Sequence, residues 1–410
     1  MNPHEPLVST YSIVAIDRDA GLMGVAVQSH FFAVGALVPW ARAGVGVVAT
    51  QSVVNPGIGP RGLDLLAGGE SPAAAVDRLV TEDSAPEVRQ FALLAADGAV
   101  ATHTGHRCIA AAGHVHGDGF SVQANMMDRP GVPEAMARAW EESSGALPDR
   151  LVAALQAAEE SGGDIRGRQS AALVIVSVTP GGGPLAERPV DLRVDDHPEP
   201  VAELSRLLKL HGAYRAVDAG DEAMARGETA VARTFYNEAR AAAPDREELV
   251  FWAAVSAAAE SPEDARNTLS SLGPIPGSRW WRLAVRLPDT GLFACDSEAW
   301  DRFLAPVPGC VYHIDDGTGA DPLRPASLES EGFVHCSFAH QVPAVLRRHY
   351  PGLPDPVVIE IAVGGLDVPL HVEDSYGIGE AFPHIYGPVT PSAVRRRGPV
   401  SEIVPGLVLN

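Results

Sequence analysis

Short β-rich and apolar runs, separated by turns and by helical segments, predict paired β-strands over the first 180 residues. Residues 11–17 and 22–29 are β-rich runs joined by a turn, which is a hairpin signal. Further strands are predicted at 44–52, 88–95, 100–103, 120–127 and 171–178, and helices through 62–66 and at 71–82, 133–142 and 148–160. Groups of strands interleaved with paired helices predict two stacked antiparallel sheets with helices on both outer faces, a four-layer αββα sandwich.

Two changes of pattern divide the rest of the chain. Glycine-rich and acidic, proline-rich stretches at 181–184 and 195–200 indicate a linker. Residues 201–287 show helical spacing, and 220–244 resemble one tetratricopeptide (TPR) hairpin, so we expect TPR-like α-helical hairpins that pack against a neighbour. Strand patterns return after residue 309 and predict a small α+β domain. The expected fold class is multi-domain α/β, with domains at 9–180, 201–290 and 309–410.

Composition and charge narrow the classes of function. The 410 residues carry 31 basic and 52 acidic side chains, a net charge of -21, which disfavours nucleic-acid binding. The run Arg395–Arg397 is expected to be a solvated turn. The four cysteines show no CxxC spacing, so neither a zinc site nor a disulfide framework is expected. No signal peptide and no apolar stretch of about 18 residues is evident, so we expect a cytoplasmic protein that does not bind membranes.

Several motifs in one order carry a family resemblance in the front region. They are STYSIVA (9–15), GVAVQSH (24–30), ATQS (49–52), HTG (103–105), QANM (123–126) and GDIRGRQS (163–170). Together they resemble the domain of unknown function 1028 family, which is assigned to the N-terminal-nucleophile (Ntn) hydrolase superfamily. One departure is Ala124, where that family usually has glycine. The resemblance implies an Ntn-hydrolase-like αββα fold, a homodimer through its sheets, and hydrolysis of a small amide or peptide without a cofactor.

Ntn chemistry requires a free amine on the residue that carries the attacking hydroxyl. A threonine hydroxyl is a weak nucleophile until a base removes its proton, and an α-amine with a pKa of about 7.7–8 can do so. Thr10 is the candidate nucleophile, but its nitrogen is in a peptide bond in this sequence. Cleavage of the Ser9–Thr10 bond would free it. Translation from Val8 would instead expose Ser9 after removal of the initiator methionine, so Ser9 is the alternative nucleophile.

Four more residues of the front region are candidates for this site, each with a structural alternative. His30 would be a polar group beside the nucleophile or a hydrogen-bonded histidine at a strand end. Asn125 and Gln51 would donate to the oxyanion or satisfy loop backbone. Arg168 would bind substrate or belong to an ion-pair turn with Asp164 and Arg166. The pattern HVH (114–116) has no carboxylate or cysteine partner, so no metal is expected there.

Residues 207–214 and the helical repeat after them resemble a segment that often follows the front family and is labelled peptidoglycan-binding. The expected cytoplasmic location does not suit that label. Trp252, Trp280 and Trp281 would form either an aromatic binding face or a helical core. We therefore interpret the helical module as a scaffold or a contact surface for a protein partner.

The C-terminal motifs are VYHI (311–314), EGFVHCS (331–337) and FPHIYG (382–387). They resemble the domain of unknown function 952 family, whose fold is similar to that of ADP-ribosyltransferases. The resemblance implies that NAD is bound by His313, that Glu373 or Glu380 completes the site, and that other residues line the cleft. These further substrate-binding candidates are His335, His384 and Tyr386.

Three hypotheses about function follow. The first is an Ntn-type amidohydrolase that acts through Thr10 or Ser9 on a small amide or peptide. The second is ADP-ribosyl or NAD-related chemistry in the C-terminal domain. The third is a non-catalytic binding or regulatory protein that has kept both folds without activity.

Overall fold

The structure is a computed structural model that describes residues 6–272, 278–287, 303–304, 309–315, 322–352, 356–373 and 382–404. The chain divides into two compact units, Met1–His211 and Gly212–Asn410. Each unit is a mixture of helices and antiparallel sheets, so the expected mixed α/β organisation is confirmed. No helix within the described ranges is both long and apolar enough to cross a membrane.

The first unit contains two antiparallel sheets. Its strands are β1 (Leu7–Val8), β2 (Thr10–Asp17), β3 (Leu22–Ser29), β4 (Pro39–Arg42), β5 (Gly46–Val53), β6 (Arg89–Ala95), β7 (Val100–Thr104), β8 (Gly113–Gly117), β9 (Phe120–Ala124), β10 (Ser170–Ser177) and β11 (Val190–Val194). The first sheet has the order β1-β5-β6-β7, and β4 also pairs with β5. The second has the order β11-β10-β3-β2-β9-β8. The second sheet therefore continues through β11, beyond the residue 180 at which the sequence pattern placed the end of the front domain.

Helices cover the outer face of each sheet. They are α1 (Ile58–Ala67), α2 (Pro72–Glu82), α3 (Val132–Glu142), α4 (Leu147–Glu160) and the start of α6 (Pro200–Ala225). The short helix α5 (Pro184–Glu187) precedes β11 and has no buried residue. Helix α2 begins where expected, because Ser71 Oγ accepts a hydrogen bond from the Ala74 N–H at 3.3 Å and Pro72 occupies the first turn. One core fills the space between the sheets, a second packs α1 and α2 on the first sheet, and a third packs α3, α4 and the start of α6 on the second. The order of layers is helices, sheet, sheet, helices.

The second unit begins with helices and ends with two small sheets. After α6 come α7 (Thr229–Ala242), α8 (Glu247–Ala257), α9 (Pro262–Ser270), α10 (Arg279–Ala284), β12 (Cys310–Ile314), α11 (Ala326–Ser330), β13 (Val334–His335), α12 (Val342–His349), β14 (Val357–Ala362), β15 (Leu370–Glu373), β16 (Phe382–Ile385), β17 (Val394–Pro399) and α13 (Val400–Ile403). The sheets have the orders β12-β14-β17 and β13-β16-β15.

Helices α8, α9 and α10 share one hydrophobic core with these sheets. Phe251 and Trp281 are fully buried in the same cluster as Ile361 and Ile385. Because that cluster is continuous, the helical module packs against the strand-rich domain within one unit of the described residues. Trp281 belongs to this core, as the alternative interpretation of the tryptophans proposed.

The run of arginines near the C-terminus does not form the expected turn. Residues 395–397 lie inside β17, which pairs with β14. Arg396 forms an ion pair with Glu360, and Arg397 forms one with Asp315. Each of these partners is mostly buried, so the arginines neutralise acidic side chains that the strands hold inside.

Candidate functional site

The chain crosses from one sheet to the other at Ser9. Strand β1 ends at Val8 in the first sheet, and β2 begins at Thr10 in the second. Val8, Ser9 and Thr10 are all fully buried. The Ser9–Thr10 peptide bond therefore lies inside the unit, where hydrogen bonds from the protein replace those of water.

Two side chains donate hydrogen bonds to the carbonyl oxygen of Ser9. One donor is the hydroxyl of Ser29, at the end of β3, and the other is Nη2 of Arg166 at 3.1 Å. Arg166 is fixed by Asp164, whose Oδ2 accepts from the same Nη2 at 2.8 Å and whose Oδ1 accepts from Nε at 3.1 Å. Asp164 itself is buried. The arrangement aims a hydroxyl and a positive charge at the carbonyl that precedes Thr10.

The hydroxyl groups of Ser9 and Thr10 also have partners. Thr10 Oγ1 donates to the carbonyl oxygen of Val8 at 2.9 Å, and Ser9 Oγ donates to that of Asn125 at 2.9 Å. Asn125 and Gln51, expected as oxyanion donors, donate instead to the carbonyl oxygen of Thr10 itself. The distances are 3.0 Å from the Asn125 N–H, 3.4 Å from its Nδ2 and 3.3 Å from Gln51 Nε2. Both residues are thus brought to the nucleophile candidate, but on the other side of its backbone.

Behind this backbone lies a buried network of amide side chains that the sequence analysis missed. Gln90 Oε1 accepts from Gln51 Nε2 at 2.7 Å and from Asn125 Nδ2 at 2.9 Å. Ser12 Oγ donates to Gln51 Oε1 at 2.6 Å and accepts from Gln123 Nε2 at 2.6 Å. The network joins both sheets and fixes their spacing at the site. Its visible signal in the sequence is an uncharged polar residue directly before an apolar run, such as Gln90 before the FALLA of β6.

His30 and Arg168 lie close in sequence to the site but make other contacts. The N–H of His30 donates to Asp164 Oδ2 at 3.3 Å, and its ring Nδ1 is buried without a hydrogen-bond partner in the part of the chain that the structure describes. Arg168 forms ion pairs with Glu159 and Glu199. Burial raises the pKa of Glu159, although Arg168 opposes the shift. Two of the three residues expected to form an ion-pair turn, Asp164 and Arg166, do form an ion pair with each other. Arg168 is not part of that pair.

The C-terminal candidates form a second group. His313 Nδ1 lies 2.8 Å from the His335 carbonyl oxygen, and His335 Nε2 lies 3.0 Å from Glu331 Oε1. Both histidines line a cavity of about 130 Å³ together with Tyr312, Ser327 and Tyr350. Small-molecule pockets usually enclose about 300–1,000 Å³, so the described walls fit a group of roughly one ring.

A group of three contacting side chains lies next to His335, one of the residues that line the cavity. They are His384, Glu373 and Tyr386. Glu373 Oε1 lies 3.2 Å from His384 Nδ1 and accepts a hydrogen bond from the Tyr386 hydroxyl. The Tyr386 hydrogen bond, with help from His384, lowers the pKa of Glu373, while burial lowers the pKa of His384. Phe333 stacks on His384 with ring centroids 4.1 Å apart. Glu380, the alternative to Glu373, lies outside the described residues.

Neither group has the geometry of a metal centre. No cluster of three or more His, Cys, Asp or Glu side chains with metal-binding geometry is found among the residues that the structure describes. In the HVH pattern, His114 Nδ1 instead lies 2.8 Å from the hydroxyl oxygen of Thr104.

Comparison with known proteins finds a family match at each end of the chain. Residues 10–204 match the model of a family of unknown function, DUF1028. A crystal structure from the same family, protein SPO2555 from Silicibacter pomeroyi, is 31% identical, with 49% of this chain and 85% of that one covered and a TM-score of 0.45. The chain belongs to the DUF1028 family. Its first unit therefore carries the residues of the family match, including Ser29, Asn125 and Arg166.

This DUF1028 chain has a second family match at its other end. Residues 313–397 match a protein of unknown function, DUF952. The crystal structure of protein CC0527 from Caulobacter crescentus is 26% identical over 22% of this chain and 84% of that one, with a TM-score of 0.20. No curated protein matches the chain.

Proposed function

We propose that the first unit is an Ntn-type amidohydrolase whose nucleophile is Thr10, freed by cleavage of the Ser9–Thr10 bond. The observation that carries the proposal is the pair of donors, Ser29 and Arg166, on the carbonyl oxygen of Ser9. Such donors stabilise the negative charge that develops when a hydroxyl attacks a carbonyl carbon. The helix–sheet–sheet–helix layering and the DUF1028 match also agree with an Ntn-hydrolase-like fold.

The cleavage needs only groups already present and one water molecule. Thr10 Oγ1 attacks the carbonyl carbon of Ser9 while the oxyanion is held by Ser29 and Arg166. The C–N bond then breaks, and the proton that leaves Oγ1 ends on the Thr10 nitrogen. Water hydrolyses the resulting ester to give a carboxylate on Ser9 and a free hydroxyl on Thr10. The new α-amine can then act as the base for the same hydroxyl in each turnover with a substrate amide.

Intact mass tests the cleavage. Purified full-length protein is expected to lose residues 1–9, and Thr10→Ala is expected to stay uncut. Removing one oxyanion donor by Ser29→Ala should slow cleavage by about 100-fold or more. Ser121→Ala is the matched control, because this buried hydroxyl bonds Gln123 and Thr102 and not the Ser9 carbonyl. An uncut wild-type chain, or equal rates for the two serine variants, would contradict the proposal.

Covalent capture tests the hydrolase activity itself. A β-lactone probe should acylate Thr10 in the cut protein, and peptide mapping should locate the adduct there. An adduct on Ser9 would move the nucleophile by one residue. No adduct on either residue would leave the non-catalytic binding protein as the better account.

For the second unit we propose TPR-like hairpins as a protein-contact module and an ADP-ribosyltransferase-like domain that holds the nicotinamide ring of NAD. The support is the cavity of about 130 Å³ beside His313 and His335, which suits one ring and not the whole dinucleotide. Bound NAD would supply its reactive glycosidic bond. Thermal stabilisation by both nicotinamide and NAD, lost in His313→Ala, is the expected result. Stabilisation by neither would refute this second proposal.

A further inference from the structure

The residues before Thr10 are bound as a short strand. Leu7 pairs with Val53 and Val8 with Ser52, and the Val54 N–H donates to the Pro6 carbonyl oxygen at 3.0 Å. The same edge of β5 pairs with β4 only up to Ala49, after which the Thr50 N–H donates to the Val38 carbonyl. Beyond that point the edge is completed by residues 6–8. Once residues 1–9 leave, the backbone N–H and C=O groups on this edge of β5 lose their partners and can pair with another strand.

Each residue of the bound segment has a different environment. The Val8 side chain is fully buried in the core between the sheets, together with Val34 and Val54. Leu7 remains 38% exposed. Ser9 is fully buried, and its carbonyl oxygen carries the two donors described above. The segment therefore fixes a register, with a specific pocket one residue before the carbonyl that Thr10 attacks.

We infer that the acyl part of the enzyme's substrate is a peptide that binds as a strand on β5, in the place of Pro6–Ser9. This rests on the proposed function. In self-cleavage the acyl group esterified to Thr10 Oγ1 is the segment ending at Ser9. In turnover the acyl group on the same oxygen comes from the substrate, so it meets the same donors and the same edge of β5. The substrate class is an extended peptide amide with a small acyl residue, preceded by a β-branched apolar residue in the Val8 pocket.

Backbone pairing with β5 also determines which N–H groups of a bound peptide must donate hydrogen bonds, whatever its side chains are. Because the Val54 N–H donates to the Pro6 carbonyl, the pair two residues along, Val8 with Ser52, is also of the hydrogen-bonded type. The intervening pair, Leu7 with Val53, is of the non-hydrogen-bonded type, so the Leu7 N–H points away from β5. N-methylation of a bound peptide should therefore harm binding at the valine and not at the leucine.

The test uses the cut protein and a fluorescein-labelled Pro-Leu-Val-Ser peptide with a free carboxylate, read by fluorescence anisotropy. Aspartate in place of the valine should weaken binding by about 10-fold or more, because a buried side chain of this size is worth that factor. Aspartate in place of the leucine should change binding less than 3-fold. N-methyl valine should abolish binding, and N-methyl leucine should preserve it. Equal losses at the two positions, or no binding of the parent peptide, would overturn the inference.

Turnover and self-cleavage give independent checks. The aminomethylcoumarin amide of acetyl-Pro-Leu-Val-Ser should be hydrolysed at least 10-fold faster, by kcat/KM, than its aspartate analogue. In the full-length chain, Val8→Asp should slow self-cleavage and Leu7→Asp should not. A protein that reacts with the β-lactone at Thr10 but neither binds nor cleaves these peptides would retain the hydrolase and lose the inference. A protein that binds them with the stated pattern but shows no covalent capture would keep the peptide-binding edge of β5 and refute the hydrolase.

Discussion

The ion pair between Asp83 and Arg89 provides the sharpest test of the energetics around the site. Both side chains are nearly inaccessible, at 3% and 1% exposure, and Nε of Arg89 lies 3.0 Å from Asp83 Oδ1. Asp83 Oδ2 accepts from Asn55 Nδ2 at 2.8 Å, and Arg89 Nη1 donates to the Val53 carbonyl at 2.7 Å. Asp83→Asn keeps the shape of the side chain but removes the negative charge beside the buried guanidinium of Arg89. The new side-chain NH₂ group would also face the NH₂ group of Asn55, which now donates to Asp83. The expected loss is about 3–5 kcal/mol of unfolding free energy.

The chain offers a matched control for this pair. Arg18 and Asp118 are also joined, at 2.8 Å, but their side chains are 49% and 86% exposed, so Asp118→Asn should cost less than about 1 kcal/mol. Because a chain with two units need not unfold in one step, the readout is hydrogen exchange of β6 amides at increasing urea concentration. A loss below about 1 kcal/mol for Asp83→Asn, or equal losses for both variants, would refute the reasoning.

Three further predictions concern buried groups. Gln51→Leu removes the acceptor of the buried Ser12 hydroxyl, whereas Gln90 Oε1 keeps Asn125 Nδ2 as a donor, so the change should cost about 1–3 kcal/mol, read as faster exchange of β5 amides. Trp281→Ala opens a cavity in the core of the second unit and should lower its free energy of unfolding in urea by about 3–5 kcal/mol. An unchanged free energy would contradict the burial of Trp281 in that core. Burial lowers the pKa of His384, so its contribution to stability is present above the unfolded pKa of about 6.5 and is lost as pH falls through the folded pKa. The melting temperature of the second unit should therefore fall on acidification, less steeply in His384→Gln.

Long strands of β-prone residues could be predicted from the sequence, and very short ones could not. The hairpin of β2 and β3 has sixteen strand residues in register across a turn, and nearly all of them are buried, which gives each β-rich run enough length to be recognised. Strand β1 has only two residues, and its existence depends on β5, a partner more than forty positions away. Strand β11 was missed because its glycine- and proline-rich surroundings resemble a linker. Its pattern VDLRV nevertheless alternates, with both terminal valines buried.

The candidate site shows a similar division. Ser9, Thr10, Gln51 and Asn125 do lie together, as expected from the motifs that carry them. The donors on the Ser9 carbonyl were not foreseen, because Ser29 and Arg166 come from the end of a strand and from a loop. Which oxygen a donor reaches depends on the crossing of the chain between two sheets, and no spacing along the sequence encodes that crossing.

The continuous core of the second unit bears on how such a chain can be assembled by recombination. A gene fusion that joined residues 201–290 to an unrelated C-terminal domain would remove Ile361 and Ile385 from the core that contains Phe251 and Trp281. A free-standing copy of residues 309–410 would likewise lack the arginines that bind its backbone, since Arg282 Nη1 donates to the Leu366 carbonyl and Arg286 Nε to that of Gly364. The two segments are therefore expected to be inherited together, and chains that carry only one of them should show polar substitutions at these contact positions.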